Sequence, residues 1–141
     1  MRVEIIGEPA PQGSKRLVGG RMIEASNKVK PWRESVKYAI AAAMQDDLAQ
    51  KLMGPVFIRM VFHFVRPAHH YGKGRNAGKI KASAPPYPAM KPDLDKLVRS
   101  TLDAIVQAGA MADDAQVVCL HAMKVYAERC GAIIELSEYG T

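Results

Sequence analysis

The sequence predicts an α+β fold, in which a mixed, mainly antiparallel sheet packs against two helices. Three observations lead to this prediction: two segments have helical spacing of apolar residues, several short strand-like segments are bounded by Gly and Pro, and no segment is repeated. The length of 141 residues is that of one ordinary domain. We therefore expect a single domain over residues 1–141.

The first elements are a strand, a hairpin and a helix. Residues 2–8 (RVEIIGE) predict a short strand that ends in a Pro-rich segment. Residues 16–25 contain a Gly-Gly pair between apolar flanks, which indicates a hairpin. Residues 31–48 have helical spacing, and Pro31 suits the first position of that helix.

The second half of the chain also predicts both strands and a helix. Residues 56–66 are rich in β-branched and aromatic side chains, which is typical of a buried central strand. Residues 96–108 have one apolar face and are followed by Gly109, so they predict a helix with glycine just after its end. Two further strands are expected at 117–126 and 131–137, joined as a hairpin.

Composition indicates a soluble intracellular protein, which we expect in the cytoplasm. No apolar run approaches the roughly 20 residues that span a bilayer, and the N-terminus lacks the apolar core of a signal peptide. Cys119 and Cys130 fit a reducing compartment as buried free thiols, although pairing across the hairpin is an alternative.

Charge is distributed unevenly along the chain. Residues 1–91 contain 16 Lys and Arg against 6 Asp and Glu, whereas residues 92–141 contain 4 against 8. Lys and Arg displace counterions from phosphates, so the basic part predicts a polyanionic partner. The acids in the other part either bind a metal or form solvated surface.

The long basic loop at 66–92 is the first candidate for DNA binding. Its composition predicts a loop that becomes ordered on contact with phosphates, although a solvated flexible loop is the alternative. The adjacent His69 and His70 are weak evidence for a metal site. The candidate DNA-binding residues, including two near the N-terminus and one in the next helix, are Lys15, Arg16, Lys73, Arg75, Lys79, Lys81, Lys91 and Lys96.

Three carboxylates follow this loop. Asp93 and Asp95 stand one residue apart just before the predicted helix, where an acid can cap the free backbone N–H groups. Two like charges side by side favour a bound cation instead. Because residues 109–114 can span the length of the helix when extended, Asp114 is expected to return beside this pair. Three such carboxylates suit Mg²⁺ or Mn²⁺.

The stretch KPDLDKLVRSTLDAIVQAGAMADDAQVV (91–118) resembles the signature region of RusA-type Holliday junction resolvases. The shared features are the D-x-D pair, the LDA helix, the glycine after it and the DDAQVV run. The segments PAPQGSKR (9–16) and KPWRESV (30–36) are similar to the N-terminal part of phage members. The resemblance therefore covers most of the chain and implies a RusA-like fold.

The resemblance implies a homodimeric, Mg²⁺-dependent endonuclease that makes paired nicks in four-way DNA junctions. By position it assigns the metal to Asp93, Asp95 and Asp114. A catalytic cation that is lysine in the family is Arg99 here, and a frequent asparagine is Lys96. Two alternatives remain: a nuclease of the same fold that cuts other branched or flap DNA, and a non-catalytic basic DNA-binding protein.

Overall fold

The computed structural model describes residues 1–13, 27–46 and 50–140 in full, and residues 15–18 and 21–24 by their backbone. Its strands and helices, numbered in chain order, are β1 (Arg2–Ile6), β2 (Lys15–Val18), β3 (Arg21–Glu24), α1 (Val29–Asp46), β4 (Val56–Phe64), α2 (Leu94–Gln107), β5 (Val117–Tyr126) and β6 (Gly131–Glu138). Short 3-10 helices occur at Ala68–His70, Gly74–Asn76 and Asp114–Gln116.

Four strands form one sheet in the order β1-β6-β4-β5, and β2 and β3 form a separate antiparallel pair. In the larger sheet, β6 is antiparallel to β1 and to β4, while β5 is parallel to β4. The α+β prediction, with a mixed and mainly antiparallel sheet and two helices, is therefore confirmed. The Gly19-Gly20 turn of the predicted hairpin lies outside the described residues.

The predicted pairing of the last two strands is wrong. β5 and β6 are consecutive in the chain, but β4 lies between them in the sheet. The reason is the α2 crossover, which returns the chain so that β5 lies parallel beside β4. The connection then crosses the end of β4, where the Ala127 N–H donates to the Phe64 carbonyl at 2.8 Å. Cys119 and Cys130 are free thiols and partly exposed.

Both helices begin two residues before the predicted position. α1 starts at Val29 and is described as far as Asp46, so the predicted end at Leu48 lies outside the described residues. α2 starts at Leu94, which places Asp93 at the N-cap. α2 ends as predicted, because Gly109 has a φ of +88°, a left-handed conformation that favours glycine.

The two helices pack on one face of the sheet around a shared hydrophobic core. Trp32 of α1 is 1% exposed, packs near the ring of Phe62 on β4 and donates from Nε1 to Thr101 Oγ1 on α2 at 3.1 Å. The buried core therefore ties α1 and α2 to the central strand. Among the described residues, no helix is long and apolar enough to cross a membrane. The assignment of residues 1–141 to one domain stays a prediction.

Candidate active site and nucleic-acid interface

The first candidate acids lie at the N-terminal end of α2. Asp93 is the N-cap residue, and among the described residues its side chain makes no capping hydrogen bond. Its Oδ2 lies 3.6 Å from Lys96 Nζ. Asp95 lies inside the first turn, where its Oδ1 accepts from the Lys96 backbone N–H at 2.9 Å. Asp95 thus satisfies one free N–H, as the capping alternative expects, and both carboxylates remain exposed.

The N-terminal segment packs against this end of the helix. The Gln12 N–H donates to the Lys96 carbonyl at 3.0 Å, and Ser100 Oγ donates to the Ala10 carbonyl at 2.6 Å. Gln12 also accepts a hydrogen bond from Arg33 of α1. Between this segment and residues 91–96 lies a cavity of about 540 Å³ whose lining includes Asp93 and Lys96.

A lysine on β5 holds the chain just before Asp93. Lys124 Nζ donates to the carbonyls of Met90 and Pro92 at 2.6 Å and 2.9 Å. Two carbonyls bonded to one ammonium fix the segment that leads into the acid pair. Sequence reasoning missed Lys124, and the only available signal was a lysine within a mostly apolar strand.

Arg99 lies on the solvent face of α2, one turn after Asp95. Residues four apart in a helix share a face, so Asp95, Arg99 and Asp103 form one row along α2. Arg99 is exposed, and among the described residues it takes part in no ion pair. This position leaves its guanidinium accessible to a phosphate.

The predicted return of Asp114 to the acid pair within one chain is wrong. Asp114 lies beside Asp103, Val106 and Gln107, towards the other end of α2. Asp103 is eight residues beyond Asp95, which corresponds to roughly 12 Å along the helix. Among the described residues, no group of three or more His, Cys, Asp or Glu is placed to hold a metal ion.

The connection after α2 explains this position. Residues 110 and 111 are buried, and the Leu52 N–H donates to the Ala110 carbonyl at 2.8 Å. Gln116 Nε2 donates to the carbonyls of Leu52 and Gly54 at 3.0 Å each. These contacts hold the connection beside the segment just before β4, and it therefore does not run back along the helix.

Asp113 and Asp114 differ in their electrostatics. Asp113 caps the short 3-10 helix through the Ala115 N–H, and this bond, followed by a bond with Asp114, lowers the pKa of Asp113. The pKa of Asp114 is raised, first by its hydrogen bond with Asp113, then by burial and by the charges of Asp113 and Asp103. This end of α2 therefore carries excess negative charge that a cation would relieve.

The basic loop has hydrogen-bonded structure of its own, and its ordering on contact with phosphates stays a prediction. The Gly72 N–H donates to the Lys79 carbonyl and the Lys81 N–H to the His70 carbonyl, each at 2.9 Å. These bonds join the two sides of a compact projection over residues 70–81. Its four candidate DNA-binding cations are exposed: Lys73, Arg75, Lys79 and Lys81.

The base of this projection is held by Arg66, His70 and Tyr126. Arg66 lies over the Tyr126 ring, 4.3 Å from its centre, and donates to the Pro85 carbonyl at 2.8 Å. His70 is 3% exposed and meets the Tyr126 ring edge-on. Burial lowers the pKa of His70, as do the nearby His69, Arg66 and Lys81 charges. His70 is thus a structural anchor of the loop.

Two other groups of candidate cations have different positions. Lys91 is exposed and lines the cavity beside Asp93, next to Lys96. Lys15 and Arg16 belong to β2, whose backbone is described, but their side chains lie outside the described residues. Their role in DNA binding stays a prediction.

Fold and site together define an α+β protein with exposed carboxylates at both ends of α2 and exposed cations on the preceding loop. The family model for endodeoxyribonuclease RusA matches residues 7–137. The chain therefore belongs to the RusA endodeoxyribonuclease family and is a nuclease that acts on DNA. A search of curated proteins finds no match.

Proposed function

We propose that the protein is a Mg²⁺-dependent endonuclease that resolves four-way DNA junctions by paired nicks. The observation that carries this proposal is the pairing of two exposed carboxylates with Lys96 at the start of α2, beside a cavity and directly after the structured basic loop. Membership of the RusA family supports the junction as substrate. Carboxylates alone would repel the DNA phosphates. Where cations lie beside them, the cations can attract the phosphate while the carboxylates bind a metal ion next to it.

The residues present fit Mg²⁺ as a cofactor. Asp93 and Asp95 are exposed carboxylates two residues apart, and carboxylate oxygens are the ligands that Mg²⁺ prefers. Mg²⁺ commonly uses one or two carboxylates and completes its shell with water and substrate phosphates. Mn²⁺ takes the same ligands. Bound there, the ion would polarise the scissile phosphate and activate water for hydrolysis to 5′-phosphate and 3′-hydroxyl ends.

Three cationic side chains would bind the phosphate or position the carboxylates. Lys96 neutralises Asp93 and faces the cavity, so it can receive a phosphate oxygen as the DNA backbone arrives. Arg99 lies one turn away with an exposed guanidinium, which can bind a phosphate through two N–H groups. Lys124 holds Met90 and Pro92 and so acts as a positioning residue for Asp93.

We propose a homodimer because the carboxylates of one chain are divided between the two ends of α2. Asp114 completes a three-carboxylate site with Asp93 and Asp95 if a second chain brings it there. A two-fold dimer would make two such sites from the same contact. Two sites related by symmetry also match the two strands that must be cut to resolve a four-way junction.

The test uses the purified full chain and a synthetic mobile four-way junction with Mg²⁺. We expect symmetric paired nicks from the unmodified protein. The variants Asp93→Asn, Asp95→Asn and Asp114→Asn should each lose cleavage and bind the junction as well or more tightly, because negative charge near phosphate is removed. Asp46→Asn, on the exposed end of α1, is the matched control and should cut normally.

Two outcomes would contradict this proposal, and a third would change one proposed ligand. Cutting of flaps but not of junctions would favour another branched-DNA nuclease of the same fold. Binding without cleavage in Mg²⁺ or Mn²⁺ would favour a non-catalytic protein. Normal cutting by Asp114→Asn together with loss in Asp113→Asn would move the third ligand to Asp113.

A further inference from the structure

We infer that the cavity beside Asp93 holds one unstacked nucleobase of the DNA, and that Glu8 and Lys28 contact the edge of that base. This inference rests on the proposed function and adds a base-recognition site to it. The cavity volume of about 540 Å³ lies within the range of about 300–1,000 Å³ that is typical of small-ligand sites. The cavity therefore has room for a single base.

The walls of the cavity suit a flat apolar ring. Pro9, Pro11, Pro92 and Phe64 contribute to its lining. Proline has no backbone N–H, so these positions offer few donors to a phosphate. Bases pack on such apolar and aromatic surfaces without regard to sequence, in the way that single-stranded DNA stacks on aromatic side chains.

The rim of the cavity carries a donor and an acceptor side by side. Lys28 Nζ lies 3.1 Å from Glu8 Oε1, and both side chains are exposed, at 65% and 61%. The bases differ in the order of donors and acceptors on their pairing edges, so an ammonium beside a carboxylate matches some bases better than others. This pair therefore provides selectivity among bases that the proline walls do not.

The cavity lies directly beside the proposed catalytic residues, so a base bound in it would belong to a nucleotide close to the cleavage site. Asp93, Lys91 and Lys96 line its other side, where the DNA backbone would pass. A nucleotide whose phosphate lies at these residues can turn its base between the N-terminal segment and Pro92. A base next to the branch loses a stacking neighbour when the junction opens, so its extrusion then costs less than that of a base within an arm.

The inference is tested with an abasic scan, in which each nucleotide around the branch of a synthetic junction is replaced in turn. Binding by the full chain is measured in Ca²⁺, so the readout does not depend on cleavage. We expect loss of the base at one position, repeated by symmetry, to weaken binding by about 10-fold, and its neighbours to have little effect. A uniform profile across all positions would overturn the inference.

Variants then assign the contacts. Replacing the base at the sensitive position by each of the four bases should give unequal affinities, and Glu8→Gln with Lys28→Met should make them more equal. The control pair Glu34→Gln with Lys37→Met removes a comparable ion pair of 3.7 Å on α1 and should leave the preference unchanged. An unaltered preference in Glu8→Gln with Lys28→Met would overturn the role of these two residues. Base-specific binding without any cleavage would overturn the proposed function and leave this inference standing.

Discussion

The two ends of helix α2 carry acids in opposite surroundings. At the N-terminal end, Asp93 lies 3.6 Å from the Lys96 ammonium, and Asp95 accepts a backbone N–H. At the C-terminal end, Asp114 lies beside Asp113 and Asp103, and its pKa is raised. Among the described residues, the acids at this second end form no ion pair.

This difference shows that, among the described residues, the charges at the N-terminal end of α2 are partly balanced within one chain and those at the C-terminal end are not. The N-terminal end already balances its acids with cations and with the positive end of the helix dipole. The C-terminal end holds like charges together at the negative end of the same dipole, which is unfavourable without a counter-charge. This excess of negative charge agrees with the proposal that Asp114 belongs to a metal site shared with a second chain.

The largest expected effect is complementation between two inactive variants. Asp95→Asn and Asp114→Asn should each be inactive alone, but a dimer containing one of each would pair an intact Asp95 with an intact Asp114 at one of its two sites. Mixing and refolding them together should restore single nicks in the mixed dimers, about half of the population. The measurement is nicking of a junction labelled on each strand.

The control for this experiment mixes Asp93→Asn with Asp95→Asn, which remove ligands from the same end of α2. Neither site of that mixed dimer would be intact, so activity should not return. If the first mixture also stays inactive while mixed dimers are shown to form, the division of the site between two chains is wrong.

The basic loop gives the next largest effect. Changing Lys73, Arg75, Lys79 and Lys81 together to Ala should weaken junction binding and lower the slope of log affinity against log salt by about three to four, because up to four phosphate contacts are lost. The loop anchors Arg66 and His70 are left unchanged, so the hydrogen-bonded loop should persist. An unchanged slope would remove this loop from the DNA interface.

A smaller change is expected from Lys96→Gln at the N-terminal end of α2. Loss of one phosphate contact should reduce the salt slope by about one. Stability should change little, because exposed ion pairs contribute about 0.2–1 kcal/mol. Lys37→Gln removes an ion pair of the same i,i+3 spacing on α1 and should alter neither binding nor slope. Equal effects of the two substitutions would show that Lys96 has no special role.

The smallest expected effect is a change in melting temperature caused by the acids at the C-terminal end of α2. Asp103→Asn removes one like charge beside Asp114, so the melting temperature of the metal-free protein should rise by about 1–2 °C. Calorimetry in EDTA measures the change. Glu128→Gln, exposed in the loop between β5 and β6, is the control and should not reproduce it. A lower melting temperature for Asp103→Asn would contradict the interpretation of this end as repulsive.

Much of the fold was predictable because local patterns decide it. The apolar face of residues 96–108 and the glycine after it predicted α2 to within two residues of each end. The β-branched run at 56–66 predicted the buried strand β4. The pairing of β5 was not predictable in the same way. The short connection between β5 and β6 favours a hairpin, but the crossover through α2 places β5 beside β4 instead.

The candidate site was predictable in its residues but not in its arrangement. Spacing and family resemblance named Asp93, Asp95 and Asp114, and chain length allowed them to meet. In the structure, however, the connection after α2 packs into the core at Ala110 and Met111, and Gln116 bonds to the segment before β4. Asp114 is therefore held away from Asp93 and Asp95. The structure of the basic loop was also missed, because Arg66, His70 and Tyr126 meet only after β4 and β5 pair.

The sequence by itself determined the elements, the charge division and the family, since these depend on residue types and on their spacing along the chain. The tertiary structure alone decided which charges meet. It placed Lys124 against the segment before Asp93, and Asp114 beside Asp103 rather than beside Asp95. The physical reason is that contacts between distant segments follow from packing and sheet order, which no local pattern encodes.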